Sequence, residues 1–359
     1  MPRVVLVTPN RWQDRSQAGF HHLARAFARA GRDVVFLTVQ KSLVGDWIRG
    51  RSAPAAANRL LVEGHVTSYL WRTPWHPMNL RSGMLNRLTS PLARWYPQFP
   101  LGAAEPLLIG AGLALFDTGA GLMLVNRIRA LAPGARLVYR ASDDVRHAGV
   151  HPIVVEAEAQ ALSRFDLISS PCAAIHARFA DRPAARLHHH GIDRALFDRA
   201  SASPYAGAAG PHAVYVGRHP VDPRFLEAAS ALRPEWTFHV IGPVQGLPGR
   251  DNVRAYGELP FAETVPFIRH ADIGLHPLPR ASGAEMFTDT LKVIQYTYCR
   301  LPILAPAFLG GTRPNVVHYE PGDRGSIDRA LHAARGLDRS RIDVSHIRSW
   351  DALAGELAG

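Results

Sequence analysis

Short apolar runs alternate with longer stretches of mixed polarity along most of this chain. The first run, at 4–7, contains only valine and leucine, which is typical of a strand buried on both faces. Helical periodicity follows over 17–30 and ends at Gly31. The same alternation predicts strands at 33–39, 66–71, 113–116, 136–141 and 167–170, separated by helical stretches. Such a pattern favours a parallel sheet with helices on both faces.

A segment of small and polar residues at 200–210 interrupts this alternation and is typical of a linker. The pattern then resumes, with predicted strands at 213–216, 237–241, 253–256 and 273–275 and predicted helices at 223–232, 261–270 and around Lys292. We therefore predict an α/β fold with two Rossmann-like parallel-sheet domains facing across a cleft. The expected domains are 1–200 and 213–345, joined by a linker at 201–212. A last helix, at 349–357 within the segment 346–359, is expected to cross back to the first domain.

Composition narrows the class of protein. Hydrophobic residues make up 47% of the 359 residues and charged residues 20%, which suits a globular protein with two cores. The formal net charge of +11 favours anionic partners such as nucleotides, acidic lipids or nucleic acid. Two cysteines form no disulfide or metal pattern, so a reducing compartment is expected. We expect no signal peptide and no membrane span, because the first strand begins almost at once and no long apolar run follows.

Lysine is rare here: lysine and arginine total 41, and the lysines are Lys41 and Lys292. Lys292 stands in the first turn of a predicted helix. The free N–H groups of that turn can be capped by the side chain of Thr288, Asp289 or Thr290. The positive end of the helix dipole and a mobile ammonium then converge on one point, which suits a diphosphate. The simpler alternative is an ordinary amphipathic helix with an incidental lysine.

Two glycines directly follow predicted strands in the second half of the chain. Gly217 and Gly242 permit a close approach of the backbone to a ligand, although glycine ends many strands. Glu258 follows a third strand and can accept hydrogen bonds from ribose or uracil, or it is a surface acid that starts a helix. Gln295 shares the helix face of Lys292 and can reach a ribose. The absence of Gly-x-Gly-x-x-Gly and Walker motifs argues against dinucleotide oxidoreductases and P-loop enzymes.

Two carboxylates, Asp143 and Asp144, follow the predicted strand at 136–141. At a strand's carboxyl end, Asp143 can act as a general base on an acceptor hydroxyl. The alternative is that Asp143 pairs with Arg140 or caps the next helix. The tract His188-His189-His190 looks like a set of metal ligands. Adjacent strand residues point to opposite faces, however, so we expect no metal site there.

Residues 64–104 contain no acidic residue, and they combine arginines with interfacial aromatics. This composition suits a surface that lies on anionic lipid headgroups or contacts an acceptor. The residues proposed for this surface are Trp71, Arg72, Trp75, Arg81, Arg87, Arg94 and Trp95. Nucleic-acid binding is a weaker alternative, since base-stacking modules have other signatures, and a buried helix with solvated arginines is another.

Several strings together resemble a GT-B glycosyltransferase and, more narrowly, the xanthan-type β-glucuronosyltransferase family, GumK. The most specific are Tyr69-Leu-Trp-Arg-Thr and Tyr139-Arg-Ala-Ser-Asp143. Further matching strings lie at 190–193, 237–242, 256–258 and 291–296. The chain departs from the family pattern at three positions. Asp144 replaces a glycine of that pattern, His219 a methionine and Leu278 a tyrosine.

The resemblance implies an inverting transferase that uses a UDP-sugar, needs no cofactor or metal, and acts on a lipid-linked glycan at the cytoplasmic face of the inner membrane as a peripheral protein. It implies that Asp143 is the base. It also implies that Lys292 and Gln295 bind UDP. The full set of expected donor-binding residues is Gly217, Arg218, His219, Gly242, Glu258, Leu278, Leu291, Lys292 and Gln295. The acid–seven–acid signature of retaining relatives is absent, because Val293 stands eight positions after Glu285.

We therefore expect a glycosyltransferase that moves glucuronic acid from UDP to a lipid-linked oligosaccharide in exopolysaccharide biosynthesis. No nucleic-acid partner is expected. One alternative is a GT-B transferase for another UDP-hexose or acceptor. An alternative of another class is a non-catalytic basic protein that binds anionic lipid or nucleic acid through residues 64–104. Release of UDP from a UDP-sugar separates these classes.

Overall fold

The computed structural model describes residues 2–52, 54–208, 210–218, 220–281, 283–311 and 313–359. They divide into two compact units: the first combines Met1–His188 with Trp350–Gly359, and the second is His189–Ser349. The boundary differs from the expected linker at 201–212, which lies inside the second unit. The reason is Tyr205, which is buried, donates its hydroxyl to the Phe267 carbonyl at 2.7 Å, and stacks on His212.

In the described part of the first unit, eight strands form one sheet in the order β3-β4-β2-β1-β5-β6-β7-β8. They are β1 (Val4–Thr8), β2 (Val34–Ser42), β3 (Leu60–Glu63), β4 (Val66–Thr73), β5 (Leu113–Asp117), β6 (Arg136–Arg140), β7 (Leu167–Ser170) and β8 (Ala185–Leu187). All neighbours are parallel except β3 and β4. Every residue of β1 is buried, as the uniformly apolar run at 4–7 predicts.

The helices of this unit connect the strands. They are α1 (Gly19–Arg29), α2 (Leu43–Ile48), α3 (Gly83–Arg94), α4 (Glu105–Leu108), α5 (Val125–Leu131), α6 (Pro152–Ala161) and α7 (Ala173–Ala177). Local sequence sets their starts: α6 has proline in its first turn, and the His151 side chain accepts the N–H of Ile153. The parallel strands therefore end at one edge of the sheet, where β5 finishes at Asp117 and β6 at Arg140.

The described part of the second unit contains a six-stranded, all-parallel sheet in the order β11-β10-β9-β12-β13-β14. Its strands are β9 (His212–Val216), β10 (Thr237–Ile241), β11 (Val253–Gly257), β12 (Ile273–Leu275), β13 (Ile303–Pro306) and β14 (Val316–Tyr319). Its helices are α8 (Arg194–Asp198), α9 (Pro223–Leu232), α10 (Phe261–His270), α11 (Leu291–Tyr298) and α12 (Arg324–Gly336).

Two apolar clusters form the core of the second unit. One contains Phe225 of α9 and Leu331 of α12. The other contains Ile241 of β10 together with Val293 and Tyr296 of α11. Helix α11 is thus held against the sheet by its apolar residues, which fixes the direction of its polar ones.

The last helix, α13 (Trp350–Ala358), belongs to the first unit and packs on α1. The rings of Trp350 and His22 stack at 5.0 Å, and Arg29 forms an ion pair with Asp351 at 2.7 Å. Among the residues described, no helix has the length and apolar character needed to cross a bilayer.

Candidate active site

Lys292, the second residue of α11, is buried and forms no ion pair with any described residue. The residue is only 5% exposed, and its Nζ atom lies 4.2 Å from the centroid of the Tyr215 ring. Within the described ranges, Nζ has no hydrogen-bond partner. Burial lowers the pKa of Lys292 to about 7. Because an isolated buried charge is unfavourable, this ammonium is set up to receive an anion.

The amino end of α11 is open as well. Thr290 occupies the N-cap position but makes no side-chain cap, and its buried Oγ1 has no partner in the described part of the chain. The other predicted caps are engaged elsewhere: Thr288 donates to the Glu285 carbonyl, and Asp289 accepts from Arg313. The prediction that a side chain caps this helix is therefore wrong. The first-turn N–H groups and the Lys292 ammonium together form an anion-binding arrangement.

Gly217 and Gly242 bring the ends of β9 and β10 close to this ammonium. A Cβ atom on Gly217 would lie 3.0 Å from Lys292 Nζ. Gly242 has a φ of +139°, and a Cβ atom there would lie 1.9 Å from the Gly217 carbonyl oxygen. Glycine is thus required at Gly242, where a side chain would collide with the Gly217 carbonyl, and a side chain at Gly217 would press on the Lys292 ammonium.

Helix α11 is fastened to β9 by Tyr296. The Tyr296 hydroxyl accepts the N–H of Val216 at 2.9 Å and donates to the Val214 carbonyl at 3.2 Å. Gln295, next to Tyr296, is also buried, at 7% exposure. Sequence reasoning missed Tyr215, whose only signal was its position two residues before Gly217.

The remaining predicted donor residues have different surroundings. Arg218 and Glu258 form an ion pair at 3.4 Å, and both side chains remain accessible to solvent. Leu291 is half-buried as the first residue of α11. Leu278 is buried in a small apolar cluster with Leu309, so its side chain is a core element. His219 lies outside the described residues.

Asp143, in the loop after β6, has a carboxylate that no described residue engages. The side chain is exposed, and no hydrogen bond or ion pair to a described residue holds it. The alternatives for Asp143 do not hold, because Arg140 donates instead to Ser169 and the His188 carbonyl, and His151 caps α6. The protein around Asp143 removes part of its hydration, which raises the pKa of this carboxyl above its ordinary value. A raised pKa improves a carboxylate as a base.

Asp144 has a different environment. It is 3% exposed and forms ion pairs with Arg146 and Arg178, and Arg178 also pairs with Glu158. Burial pushes the pKa of Asp144 up, but the hydrogen bonds and charges of Arg146 and Arg178 outweigh it, and the net pKa lies below the ordinary value. Asp144 is therefore an anchor of the loop, and Asp143 is the carboxylate available to a substrate.

The histidine tract makes no metal cluster among the described residues, where no group of three His, Cys, Asp or Glu side chains could hold an ion. His188 Nε2 lies 3.5 Å from Glu356, and His189 Nδ1 lies 3.8 Å from Asp289. These contacts connect the tract to its own surroundings.

The predicted membrane or acceptor surface is only partly exposed. The prediction that Trp71 lies on the surface is wrong. Trp71 points into the core from β4 and contacts Tyr96, and it donates its indole N–H to the Pro100 carbonyl at 2.8 Å. Arg72 is half-buried and pairs with Asp46 at 2.7 Å, and Trp75 is half-buried too. The exposed members are Arg81, Arg87, Arg94 and Trp95.

Known proteins resemble this chain over most of its length. Residues 6–171 match the sequence profile described as Glucuronosyltransferase GumK, N-terminal domain. The UDP-glucuronate:glycolipid 2-beta-glucuronosyltransferase of Xanthomonas campestris pv. campestris is 32% identical over 297 residues, which span 82% of this chain and 73% of that protein.

Two solved structures are similar in fold. An α,α-trehalose-phosphate synthase (UDP-forming) from Burkholderia xenovorans has a TM-score of 0.65 at 13% identity, over 99% of this chain and 100% of the other. HepE from Anabaena, in complex with UDP and glucose, has a TM-score of 0.59 at 15% identity, over 99% and 95%. This likeness shows the fold alone, and it confirms the predicted GT-B class.

Proposed function

The chain belongs to the GumK family of glycosyltransferases, and from this premise we propose that it moves glucuronic acid from UDP-glucuronate to a lipid-linked oligosaccharide in exopolysaccharide biosynthesis. The proposed reaction inverts the anomeric carbon and needs no metal. The name of the Xanthomonas relative, which acts on UDP-glucuronate and a glycolipid, supports the choice of donor and acceptor.

The donor half of the proposal rests on the buried ammonium of Lys292, which has no partner among the described residues. The UDP diphosphate lies against this ammonium and the open amino end of α11, where it restores the hydrogen bonds that Lys292 Nζ and Thr290 Oγ1 lack among the described residues. Gly217 and Gly242 let the diphosphate approach the strand ends. Glu258 accepts from the ribose or uracil. As the sugar departs, negative charge develops on UDP, and the same preorganised groups stabilise it.

The acceptor half rests on Asp143. Its carboxylate takes the proton of the acceptor hydroxyl, and that oxygen attacks the anomeric carbon as the bond to UDP breaks. A single displacement of this kind inverts the configuration. No ion pair with a described residue neutralises Asp143, whereas Asp144 is neutralised by two arginines.

A peripheral position on the cytoplasmic face of the inner membrane completes the proposal. Helix α3 supports it, because apolar side chains spaced along one side of the helix are exposed and basic side chains accompany them. We call this surface the α3 face; it consists of Arg81, Met84, Arg87, Leu88, Leu92, Arg94 and Trp95. Anionic headgroups would pair with its arginines while the apolar side chains enter the interface.

A UDP-release assay tests the proposed function. Purified protein is incubated with UDP-glucuronate, UDP-glucose or UDP-galactose, with and without a lipid extract that contains the acceptor, in the presence of EDTA. We expect UDP release that needs the lipid, is fastest with UDP-glucuronate and survives EDTA. Fastest release with another UDP-hexose would shift the donor, and no release with any donor would favour a non-catalytic basic protein.

The matched control is a remote carboxylate. Asp33 precedes β2 at the amino edge of the first sheet, and its side chain is exposed. Asp33→Asn should leave UDP release unchanged, whereas Asp143→Asn should abolish most of it. Equal loss in both variants would indicate a general effect of lowered charge.

A further inference from the structure

Asp117, a buried carboxyl group at the end of β5, has no direct part in the proposed reaction. It is 5% exposed, and it accepts hydrogen bonds from the Thr8 hydroxyl at 2.7 Å and from the Thr118 N–H at 2.9 Å. No arginine, lysine or histidine of the described ranges pairs with it. Burial, opposed by hydrogen bonds from Ser142 and Thr8 and reinforced by the charge of Asp143, raises the pKa of Asp117 to about 7.

Thr118 connects this carboxyl group to the candidate base. The Thr118 hydroxyl donates to the carbonyl of Asp143 at 3.0 Å and accepts the N–H of Asp143 at 3.2 Å. One side chain thus holds both backbone polar groups of the residue that carries the base. The Thr118 backbone N–H in turn donates to the carboxyl group of Asp117, at the end of β5.

We propose that Thr118 is a positioning residue for Asp143, and that Asp117 acts through Thr118 by fixing its backbone. This inference rests on the proposed function. The carboxylate of Asp143 has no partner of its own in the described part of the chain, so only its backbone sets the direction in which it points. On the carboxyl side of Asp143, the chain is held by the ion pairs of Asp144 with Arg146 and Arg178. The hydrogen bonds of Thr118 hold the backbone of Asp143 itself.

The expected consequence of losing this attachment is a loss of turnover with little loss of binding. A misplacement of about 1 Å at a reacting group costs roughly a hundredfold in rate. Donor binding belongs to the second unit and should not respond. A residue that served only to stabilise the fold would instead reduce the amount of active protein, with kcat per folded molecule unchanged.

The test compares Thr118→Val, which keeps the shape and removes the hydroxyl, with Thr118→Ser, which keeps the hydroxyl. We expect Thr118→Val to lower kcat by about 10- to 100-fold, while acceptor KM and UDP affinity change less than about twofold. Thr118→Ser should recover most of the wild-type kcat. Activities are normalised to folded protein by hydrogen exchange of peptides from β5 and β6, because UDP binding reports only on the second unit. Thr67→Val, on β4 with three strands between it and β6, is the matched control and should have wild-type kcat.

A double-mutant cycle tests the role of Asp117. If Asp117 acts through Thr118, the kcat loss of Asp117→Asn combined with Thr118→Val should be smaller than the product of the two single losses. Losses that multiply would overturn that link.

Three further results separate this inference from the proposed function. Wild-type kcat in Thr118→Val, with Asp143→Asn inactive, overturns the positioning role and leaves the base assignment intact. A Thr118→Ser variant as slow as Thr118→Val also overturns it. Wild-type turnover in Asp143→Asn would show that Asp143 is not the base, and it would overturn both the positioning role and the proposed mechanism.

Discussion

Replacing Lys292 with methionine should stabilise the second unit and weaken UDP binding at the same time. Methionine is unbranched and similar in length, so it fills the space without introducing a charge. Burial lowers the pKa of Lys292 from 10.5 to about 7. At about 1.4 kcal/mol per pKa unit, this shift corresponds to about 5 kcal/mol of unfavourable desolvation when the lysine is charged.

The net gain should be smaller than that figure. Methionine loses the contact of the ammonium with the Tyr215 ring, worth about 0.5–2 kcal/mol. At pH 7 about half of the folded molecules already carry neutral lysine. We therefore expect the methionine variant to unfold with a free energy about 2–4 kcal/mol higher than wild type at pH 7.

The pH dependence has a definite sign. The folded pKa lies below the unfolded pKa, so between about pH 7 and 10.5 the unfolded chain binds more protons than the folded one. Wild-type stability from this group therefore rises with pH across that window. The advantage of Lys292→Met should be largest at pH 7 or below and should vanish towards pH 10.5.

Hydrogen exchange read by mass spectrometry can measure this effect in the second unit alone. Peptides from β9 and α11 would be followed in increasing denaturant at pH 7 and 9.5, in wild type and in Lys292→Met. UDP affinity of the same proteins would be measured by calorimetry, with an expected loss of about ten- to a hundredfold. A methionine variant that is less stable than wild type at pH 7, or a stability difference that does not depend on pH, would refute the reasoning that this ammonium is buried and uncompensated.

Four other outcomes are expected. Asp143→Asn should bind UDP normally but turn over about 10²- to 10⁴-fold more slowly, whereas Asp144→Asn should mainly lower stability; the reverse, measured by calorimetry and UDP release, would identify Asp144 as the base. Because the pKa of Asp143 is raised, the acid limb of the kcat/KM profile should lie above the ordinary aspartate pKa of about 3.9 and disappear in Asp143→Asn. UDP binding at pH 8 should take up a proton, since the diphosphate recharges a lysine with a pKa of about 7; equal binding heats in buffers of different ionisation enthalpy would contradict this. Changing the three arginines of the α3 face to serine should release the protein from phosphatidylglycerol vesicles at low salt, because each contributes about 1 kcal/mol, and unchanged cosedimentation would argue against this surface.

The sequence was sufficient for ten of the fourteen strands in the described residues, but it did not predict β3, β8, β13 and β14. Uniformly apolar runs such as 4–7 have few alternatives to a buried strand, and the scarcity of lysine drew attention to Lys292 before any contact was known. The different roles of Asp143 and Asp144 were not predictable from the sequence. They depend on Arg178, which is distant in sequence and reaches Asp144 only in the folded unit.

Other predictions were wrong because local composition does not reveal which side of an element faces the core. Trp71 has the character of an interfacial aromatic, yet its position on β4 directs it against Tyr96. The segment at 200–210 has the composition of a linker, but the single aromatic residue Tyr205 anchors it to α10. The contact of the Tyr215 ring with the Lys292 ammonium was not predictable, because it arises only from the packing of α11 on β9.

Mass spectrometry of the lipid product tests glucuronosyl transfer most directly. Wild type and Asp143→Asn would each receive an equimolar mixture of UDP-glucuronate and UDP-glucose with the lipid-linked acceptor. The predicted result is a lipid-linked glycan that gains one hexuronic acid residue with wild type and remains unmodified with Asp143→Asn, although that variant still binds UDP. Addition of a hexose in place of the hexuronic acid, or product formation by Asp143→Asn at the wild-type rate, would contradict it.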